Sequence, residues 1–314
     1  MKKTTFAIIG TGIVGERIIK QLLVNSNCEI ISIYDENSER LVEIRDRYHL
    51  PMASSLEEVF ATKPNWVYIG TPPNRHAQLA EEASKHGFHV LSEKPLAHDV
   101  EGGQKMVEST KNAKVLTAMH FPLMYSPAVQ TVMNEVADDA LGTILRVELH
   151  TYFPHWPRKW QQNSWIGSRL QGGFIREVFP HYFQIMYRLF GNFSFLAHHT
   201  VFPENPDLCE TGSSAIGQTD SGIPILINGL SGMGQEEVLM FKIIGTKKVM
   251  TIKNWSELWV SEIDQPAKQL QLDENQSSLW DACHEAQNGN ESTLVSFEEG
   301  LIVQKWIDEL LEQA

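Results

Sequence analysis

The chain has 314 residues, of which 42% are hydrophobic and 21% charged, and its formal net charge at pH 7 is -13. This composition is typical of a globular protein, and the acidic excess opposes non-specific binding to nucleic acid. The three cysteines lie far apart and form no redox or metal motif. No apolar run approaches the length of a membrane span, and the N-terminus lacks a signal-peptide pattern. We therefore expect a cytoplasmic protein with reduced thiols that binds neither nucleic acid nor a membrane.

The first third of the chain alternates between predicted strands and predicted helices. Such alternation is typical of right-handed crossovers and a parallel sheet. We therefore expect a doubly wound Rossmann domain over residues 1–121. Its predicted strands are Thr4–Ile9, Glu29–Tyr34, Trp66–Ile69, His89–Ser92 and Val115–Ala118, and its predicted helices are Ile13–Val24, Ser38–Tyr48 with Ser38 as N-cap, Arg75–His86 and Asp99–Asn112.

The pattern changes near residue 121, where strand signals begin to follow one another with turn residues between them. This succession is typical of antiparallel hairpins, so residues 122–314 are predicted to form an α+β domain with an open, mostly antiparallel sheet. The predicted strands are Ile144–Tyr152, Ser213–Thr219, Ile223–Leu230, Val238–Ile244, Lys247–Ile252 and Leu258–Glu262, and the predicted helices are Ser126–Val136, His181–Phe190 and Phe297–Glu312.

A glycine-rich turn follows the first predicted strand and opens the first predicted helix. In such a fingerprint the glycines permit a tight turn, a close approach to a pyrophosphate and close packing of helix on strand. The helix N-terminus then holds the pyrophosphate. The residues predicted to bind the dinucleotide here are Gly10, Thr11, Gly12, Ile13, Val14 and Gly15.

Asp35 stands at the end of the second predicted strand, at the distance from the glycines where a carboxylate accepts hydrogen bonds from the adenosine ribose. Asp35 and Glu36 would repel a 2'-phosphate, which favours NAD. NADP remains an alternative cofactor, because the guanidinium of Arg40, one helical turn later, could reach its 2'-phosphate.

Two further segments follow predicted strands of the first domain. Thr71, Pro72, Pro73 and Asn74 follow one strand, and Glu93-Lys94-Pro95 follows the next. In an open α/β sheet, loops after the carboxyl ends of strands line the ligand crevice. An ammonium at the position of Lys94 could hold a substrate hydroxyl and stabilise the alkoxide that develops as hydride leaves.

Together these motifs resemble the glucose-fructose oxidoreductase and inositol dehydrogenase (Gfo/Idh/MocA) family over essentially the whole chain. The resemblance is carried by Gly10 to Gly15, Asp35, Thr71 to Asn74 with His76, Glu93-Lys94-Pro95, and Gly172-Gly173 followed by His181. It implies a Rossmann domain, a C-terminal domain with an open antiparallel sheet that often forms oligomers, and reversible hydride transfer at a carbinol carbon.

The resemblance also implies roles for individual residues. Lys94 and His181 are the implied catalytic residues, with His181 as the proton carrier and Glu177 in place of the usual aspartate four residues before it. Trp165 matches a tryptophan near the nicotinamide, although Ile166 replaces the arginine that commonly follows. Gln184 and Pro180 are further departures from the family pattern. The residues that the resemblance adds to the cofactor site are His76, Glu93, Lys94 and Trp165.

Trp156 and His120 lie outside these motifs. The segment that contains Trp156 is predicted either to line a substrate pocket or to be core or dimer surface. His120 follows the last Rossmann strand, and this position favours the substrate pocket. We predict no metal site, because no set of histidines is completed by a carboxylate or cysteine.

These features predict an NAD-dependent dehydrogenase or reductase for a sugar, cyclic polyol or related hydroxy compound, with substrate contacts from Lys94, His120, Trp156 and His181. A homodimer or homotetramer joined through the C-terminal sheet is expected. Two alternatives remain: a non-catalytic sensor of dinucleotide and ligand, and an enzyme that recycles tightly held NAD within each turnover.

Overall fold

A computed structural model describes residues 3–161, 163–273 and 277–312. The chain divides into two compact units. The first comprises Met1–Phe121 and Ser277–Gln304, and the second comprises Pro122–Gln276 and Lys305–Ala314. The first unit is therefore formed by two separate segments of the chain. Within the described ranges, no helix is both long and apolar enough to cross a bilayer.

The first unit contains a five-stranded parallel sheet with strand order β2-β1-β3-β4-β5. This confirms the predicted Rossmann architecture. The strands are β1 (Thr4–Ile9), β2 (Cys28–Tyr34), β3 (Trp66–Ile69), β4 (His89–Ser92) and β5 (Thr117–Met119). Their side chains are largely buried because parallel sheets are covered by helices on both faces.

Among the described residues, six α-helices lie wholly within the first unit, and most of them follow the predicted bounds. Asn37 caps α2 through its side chain, so the prediction of Ser38 as N-cap was wrong: Ser38 is already helical and Asn37 accepts the Arg40 N–H. Two of these helices, α3 and α8, lie outside the predicted set. The helices are α1 (Ile13–Val24), α2 (Ser38–Tyr48), α3 (Leu56–Ala61), α4 (His76–Lys85), α5 (Val100–Ala113) and α8 (Leu279–Gln287).

The second unit is built on an eight-stranded sheet with strand order β13-β12-β11-β10-β6-β9-β8-β7. Its pairs are antiparallel except for β6 with β9, which confirms the mostly antiparallel prediction. The strands are β6 (Ile144–Phe153), β7 (Phe193–Val201), β8 (Gly212–Thr219), β9 (Pro224–Ser231), β10 (Val238–Gly245), β11 (Lys248–Lys253), β12 (Glu257–Glu262) and β13 (Lys268–Gln269). The sequence patterns predicted neither β7 nor β13.

The remaining α-helices of the described residues are α6 (Pro127–Ala137), α7 (Phe174–Phe190) and α9 (Phe297–Leu311). The predicted start of α7 at His181 was wrong, because the helix begins seven residues earlier and continues through Pro180. Proline removes one helical hydrogen bond. Here the cost is offset by packing, since almost the whole middle of α7 is buried.

Candidate cofactor and active site

The glycine loop after β1 has the shape that a pyrophosphate requires. Gly10 has φ +96°, and a Cβ there would clash with the backbone of Gly70. A Cβ on Gly15 would clash with the Gly10 carbonyl, so α1 packs closely on the loop. A Cβ on Gly12 would meet nothing within 4 Å, and no side chain caps α1 at Gly12. The helix N-terminus is therefore open to an anion, and these residues fit a dinucleotide.

Asp35 braces this loop from the end of β2. Its Oδ2 accepts hydrogen bonds from the Thr11 backbone N–H at 2.6 Å and the Thr11 hydroxyl at 3.0 Å, while Oδ1 accepts the Asn37 N–H at 2.9 Å. Oδ1 retains a further lone pair, so the carboxylate can also accept a hydrogen bond from a ribose hydroxyl. Asp35, which is predicted to bind the adenosine ribose, therefore also fixes the conformation of the glycine loop.

Arg40 is held against the same loop by several contacts. Its Nε donates to the Thr11 carbonyl at 3.0 Å, and its terminal nitrogens pair with Glu16 at 2.5 Å and Glu43 at 2.7 Å. Glu16 also accepts hydrogen bonds from Arg47 and Tyr48. Burial opposes ionisation of Glu16, but these donors outweigh it and lower its pKa to about 2. Arg40 is consequently compensated by the ionised Glu16, and Glu43 provides a second ion pair.

The segment after β3 carries Thr71 and His76. The Thr71 hydroxyl oxygen is buried and has no hydrogen-bond partner among the residues described. Such a group at the carboxyl end of a Rossmann strand fits a polar ligand. The fully buried His76 ring lies 2.9 Å from the Thr71 carbonyl through Nε2 and 3.1 Å from the Pro95 carbonyl through Nδ1. His76 therefore joins the loops that follow β3 and β4.

Glu93 belongs to a buried cluster at the ends of three neighbouring strands. Its Oε1 accepts the Tyr68 hydroxyl at 2.8 Å and lies 2.6 Å from Nδ1 of His120. Burial by itself raises the pKa of a carboxyl group. The ring of His120 and the charge of Lys94 outweigh burial and lower the Glu93 pKa to about 2. The Glu93 side chain, predicted to bind the cofactor, is thus directed at Tyr68 and His120.

Lys94 follows directly at the carboxyl end of β4 and is half-buried. Because β1, β3, β4 and β5 are parallel, their carboxyl ends share one edge of the sheet. The structure brings together on this edge the predicted residues of the first unit, which are Gly10 to Gly15, Asp35, Thr71, Pro72, Asn74, Glu93, Lys94 and His120. A glycine loop for a dinucleotide and an ammonium suited to a developing alkoxide therefore occupy one edge.

In the second unit, α7 carries Glu177 and His181 one helical turn apart, so the two lie on the same helix face. The His181 ring is buried and meets the Trp255 ring edge to face at 5.4 Å. The N-terminus of α7 receives the buried Glu210 carboxylate, whose Oε1 accepts the Ile175 N–H at 2.7 Å. Burial raises the pKa of Glu210 to about 7, and the hydrogen bond from Ile175 only partly opposes this effect.

Trp156 lies in an aromatic cluster of the second unit. Its ring packs at 4.9 Å from Phe153 and at 6.1 Å from Phe174, and its Nε1 donates to the Ile166 carbonyl. Arg158 covers the cluster and forms a two-pronged ion pair with Glu237. Arg158 also borders an open cleft of about 800 Å³ whose lining includes His155, Lys159, Trp160 and Glu236. Trp165 is half-buried in a short 3-10 helix, Ser164–Gly167.

Sequence reasoning missed four residues of these arrangements: Glu16, Tyr68, Arg158 and Glu210. One signal was available for Tyr68. A tyrosine in the buried strand Trp66–Ile69 places a hydroxyl in the core, and such a hydroxyl usually finds a partner. Glu210 carries no comparable signal, because its partner Ile175 is distant in sequence and contributes only backbone.

Comparison with known proteins identifies the family. The Gfo/Idh/MocA model for an oxidoreductase family with an NAD-binding Rossmann fold matches residues 4–121, and the model for its C-terminal alpha/beta domain matches residues 134–314. A solved structure of levoglucosan dehydrogenase in complex with NADH has a TM-score of 0.84 at 18% identity, covering 98% of this chain and 96% of that chain. At this identity the likeness establishes the shared fold.

Two sequence relatives illustrate the chemistry found in similar proteins. The levoglucosan dehydrogenase of Pseudarthrobacter phenanthrenivorans is 30% identical over 165 residues, covering 50% of this chain and 41% of that protein. The 2,7-anhydro-N-acetylneuraminate hydratase of Escherichia coli is 28% identical over 170 residues, covering 54% of this chain and 44% of that protein. The chain spans less than half the length of either relative. The two family models together cover nearly the whole chain, which therefore belongs to the Gfo/Idh/MocA family of oxidoreductases with an NAD-binding Rossmann fold.

Proposed function

We propose that this protein is an NAD-dependent dehydrogenase or reductase of a sugar, cyclic polyol or related hydroxy compound. The observation that carries the proposal is the shared sheet edge, where an open glycine loop and Lys94 follow parallel strands of one unit. The family supports the same chemistry, since the levoglucosan dehydrogenase relative is named for oxidation of an anhydrosugar.

The dinucleotide, when bound, supplies the nicotinamide that exchanges a hydride with the carbinol carbon of the substrate. Gly12 and the N-terminus of α1 would hold its pyrophosphate, Asp35 its adenosine ribose and Thr71 a further polar group. Trp165, Pro72 and Asn74 are the remaining proposed cofactor contacts.

The protein residues would manage the proton and the oxygen. His181 would take the hydroxyl proton of the substrate, because imidazole with an ordinary pKa of about 6.5 exchanges protons near neutral pH. Lys94 would stabilise the oxygen as negative charge develops on it. Glu177, one turn before His181 on α7, would orient the ring. The product is a carbonyl compound, and the proton leaves from the imidazole to solvent.

Steady-state kinetics with NAD and a panel of sugars, inositols and sugar acids test this proposal. Lys94→Ala and His181→Ala should each lower turnover by roughly 10²- to 10⁴-fold. NAD affinity, measured by calorimetry, should change little in His181→Ala. Lys85→Ala and His49→Ala are matched controls, because both side chains are exposed and lie in no proposed site. Near-wild-type turnover in either test variant would remove that residue from the mechanism, and binding without turnover across the panel would favour a sensor.

NAD rather than NADP is the proposed cofactor. In sequence, Arg40 is the arginine nearest to Asp35. Its positive charge is already compensated by ion pairs with Glu16 and Glu43. Asp35 itself would repel a 2'-phosphate. Asp35→Ser should weaken NAD binding and relatively favour NADP in a calorimetric titration of both. Tighter binding of NADP than of NAD by the wild type would overturn this assignment.

A second candidate is an enzyme that recycles its NAD within each turnover. The hydratase relative favours it, because addition of water involves no net oxidation or reduction of the substrate. Such a protein would be purified with NAD that does not exchange with isotopically labelled NAD. Free exchange together with net NAD reduction by a polyol would exclude this candidate.

Assembly through the C-terminal sheet is also proposed. Apolar side chains are exposed on adjacent strands, with Leu196 61%, Ile216 50% and Leu230 44% exposed. Clusters of exposed apolar residues are typical of interaction surfaces. Light scattering at micromolar concentration should therefore give a dimeric or tetrameric mass, and Ile216→Lys should lower it. A monomeric wild type would contradict this proposal.

A further inference from the structure

The cluster of Tyr68, Glu93 and His120 connects three adjacent strands at the edge proposed to bind ligand. Tyr68 lies in β3, Glu93 follows β4 and His120 follows β5, and these strands are neighbours in the sheet. The His120 backbone N–H donates to the Ser92 carbonyl at 2.8 Å, which extends the pairing of β5 with β4 beyond the strands. The sheet itself thus places the His120 ring beside the Glu93 carboxylate.

The His120 ring is fixed on a further side by an aromatic contact. It stacks on the Trp280 ring with centroids 6.3 Å apart and planes 24° apart, and Trp280 in turn meets Phe6 edge to face. The residue is only 6% exposed. Glu93 is fixed as well, because the Tyr68 hydroxyl donates to the same carboxylate oxygen. Neither partner can rotate without losing a buried hydrogen bond.

This geometry selects one tautomer of His120. A carboxylate only accepts hydrogen bonds, so the 2.6 Å contact requires a proton on Nδ1. In a neutral imidazole the other ring nitrogen, Nε2, is then a hydrogen-bond acceptor. Among the residues described, the polar contact of the His120 side chain is the one with Glu93. Lys94 is the chain neighbour of Glu93, so the ring and the ammonium flank one carboxylate.

We propose that Glu93 and Tyr68 are positioning residues that fix His120 with its Nδ1 proton toward Glu93, so that Nε2 accepts a hydrogen bond from a substrate hydroxyl. The inference rests on the proposed function for the identity of that substrate as a polyhydroxy compound. His120 is then a binding residue that recognises a hydroxyl donor, beside the lysine that holds the reacting oxygen.

A purely structural role would equally explain a buried hydrogen-bonded cluster that joins three strands, so the test must report on the ring nitrogens. Nitrogen-15 NMR of histidine-labelled protein distinguishes a protonated from a bare ring nitrogen. His89 provides a reference in the same spectrum. His89 Nδ1 accepts the Leu116 backbone N–H at 3.2 Å, so neutral His89 must carry its proton on Nε2, opposite to the expectation for His120.

The measurement is made on the NAD-loaded protein at about pH 8, where an unperturbed imidazole is neutral. His120→Gln assigns the His120 resonances by their loss. We expect Nδ1 protonated and Nε2 bare in the wild type, and a mixture of tautomers in Glu93→Gln. Titration with myo-inositol, D-glucose and levoglucosan should shift the Nε2 resonance with at least one of them. A proton on Nε2 in the wild type, or no shift with any of the three, overturns the proposal.

Binding of the same probes gives an independent readout. His120→Phe keeps a ring that can stack on Trp280 but removes the nitrogen acceptor, so the affinity of the bound probe should fall roughly tenfold, the effect of one lost hydrogen bond. Affinity for NAD should not change, and the exposed His49→Phe is the matched control. Unchanged probe affinity in His120→Phe overturns the proposal even if NAD is reduced. Absence of NAD reduction together with the expected tautomer and shift would instead contradict the proposed function.

Discussion

Glu93 of the first unit and Glu210 of the second are both buried, and the two behave in opposite ways. Glu93 is 8% exposed and Glu210 1% exposed. Burial raises the pKa of both, but nearby His120 and Lys94 bring Glu93 down to about 2. Glu210 rises to about 7, because the Ile175 N–H and a partly compensating Arg176 do not offset its burial.

The difference shows that charge compensation, rather than burial, decides whether a carboxylate stays ionised in this fold. Glu93 meets an imidazole, a hydroxyl and an ammonium at the edge of a parallel sheet. Glu210 meets mainly the backbone at the start of α7, where a helix N-terminus provides only partial positive charge. The same residue type therefore gives an ionised carboxylate at position 93 and, at position 210, a carboxyl group whose pKa lies near neutral pH.

The largest expected effect comes from breaking the compensated pair. Glu93→Ala leaves the His120 Nδ1–H and the Tyr68 hydroxyl, two buried donors, without their acceptor, which should lower the free energy of unfolding by about 4 kcal/mol. Urea denaturation at neutral pH measures it. Glu101→Ala, which removes an exposed ion pair with Lys105, should change stability by less than about 1 kcal/mol. Equal effects of the two variants would contradict the comparison.

The same variant has a defined pH dependence. The folded pKa of Glu93 lies below its ordinary value, so its stabilisation is present above the ordinary pKa of 4.5 and is lost as pH falls toward about 2. The stability difference between wild type and Glu93→Ala should therefore shrink below pH 4.5. A difference that stays constant through this range would show that the pairing does not depend on the charge of Glu93.

Glu210→Gln should raise the free energy of unfolding, whereas Glu93→Ala should lower it. The variant keeps an oxygen that accepts the Ile175 N–H but cannot ionise, so at pH well above 7 it should be more stable than the wild type by about 3 kcal/mol. Because the folded pKa is raised, wild-type stability falls as pH rises from 4.5 to about 7, and the variant lacks this fall. Thermal unfolding across this range is the measurement, and a destabilised variant at high pH would reject the assignment.

A smaller effect is expected for Tyr68→Phe. The change removes one hydrogen bond to a charged acceptor but leaves the contact between Glu93 and His120, so stability should fall by about 1.5 kcal/mol. Burial and the adjacent Glu93 raise the pKa of Tyr68, so the hydroxyl stays a donor and the effect should not vary between pH 7 and 9. A pH-dependent loss in chemical denaturation would argue against this donor role.

The smallest effect on stability is expected for Glu16→Gln, a glutamate nearer the surface whose pKa is also lowered to about 2. The side chains of its partners Lys20 and Arg47 are 60% and 46% exposed, and glutamine keeps an oxygen that accepts the Tyr48 hydroxyl, so stability should fall by only about 1 kcal/mol. The variant does weaken the compensation of Arg40, so NADP affinity should rise relative to NAD by roughly tenfold. Calorimetric titration of both cofactors tests this, with Glu81→Gln on α4 as the control.

Local sequence patterns predicted much of the first unit. β1, α1, β3 and β4 have their predicted bounds, because buried β-branched runs, helical periodicity and a glycine turn are all properties of neighbouring residues. Predictions were weaker where packing overrides a local signal. Pro180 indicated a helix boundary, yet α7 passes through it inside a nearly continuous apolar environment.

The sequence by itself determined the family, the NAD-binding Rossmann domain and the mostly antiparallel second sheet, since glycine fingerprints and strand periodicity are written in consecutive residues. Only the tertiary structure decided which carboxylates are compensated. Tyr68, Glu93 and His120 are separated by more than 20 residues from one another, and Glu210 by 35 from Ile175. Their pairing depends on strand order and on where a loop returns to a helix, and both are consequences of packing that no local pattern encodes.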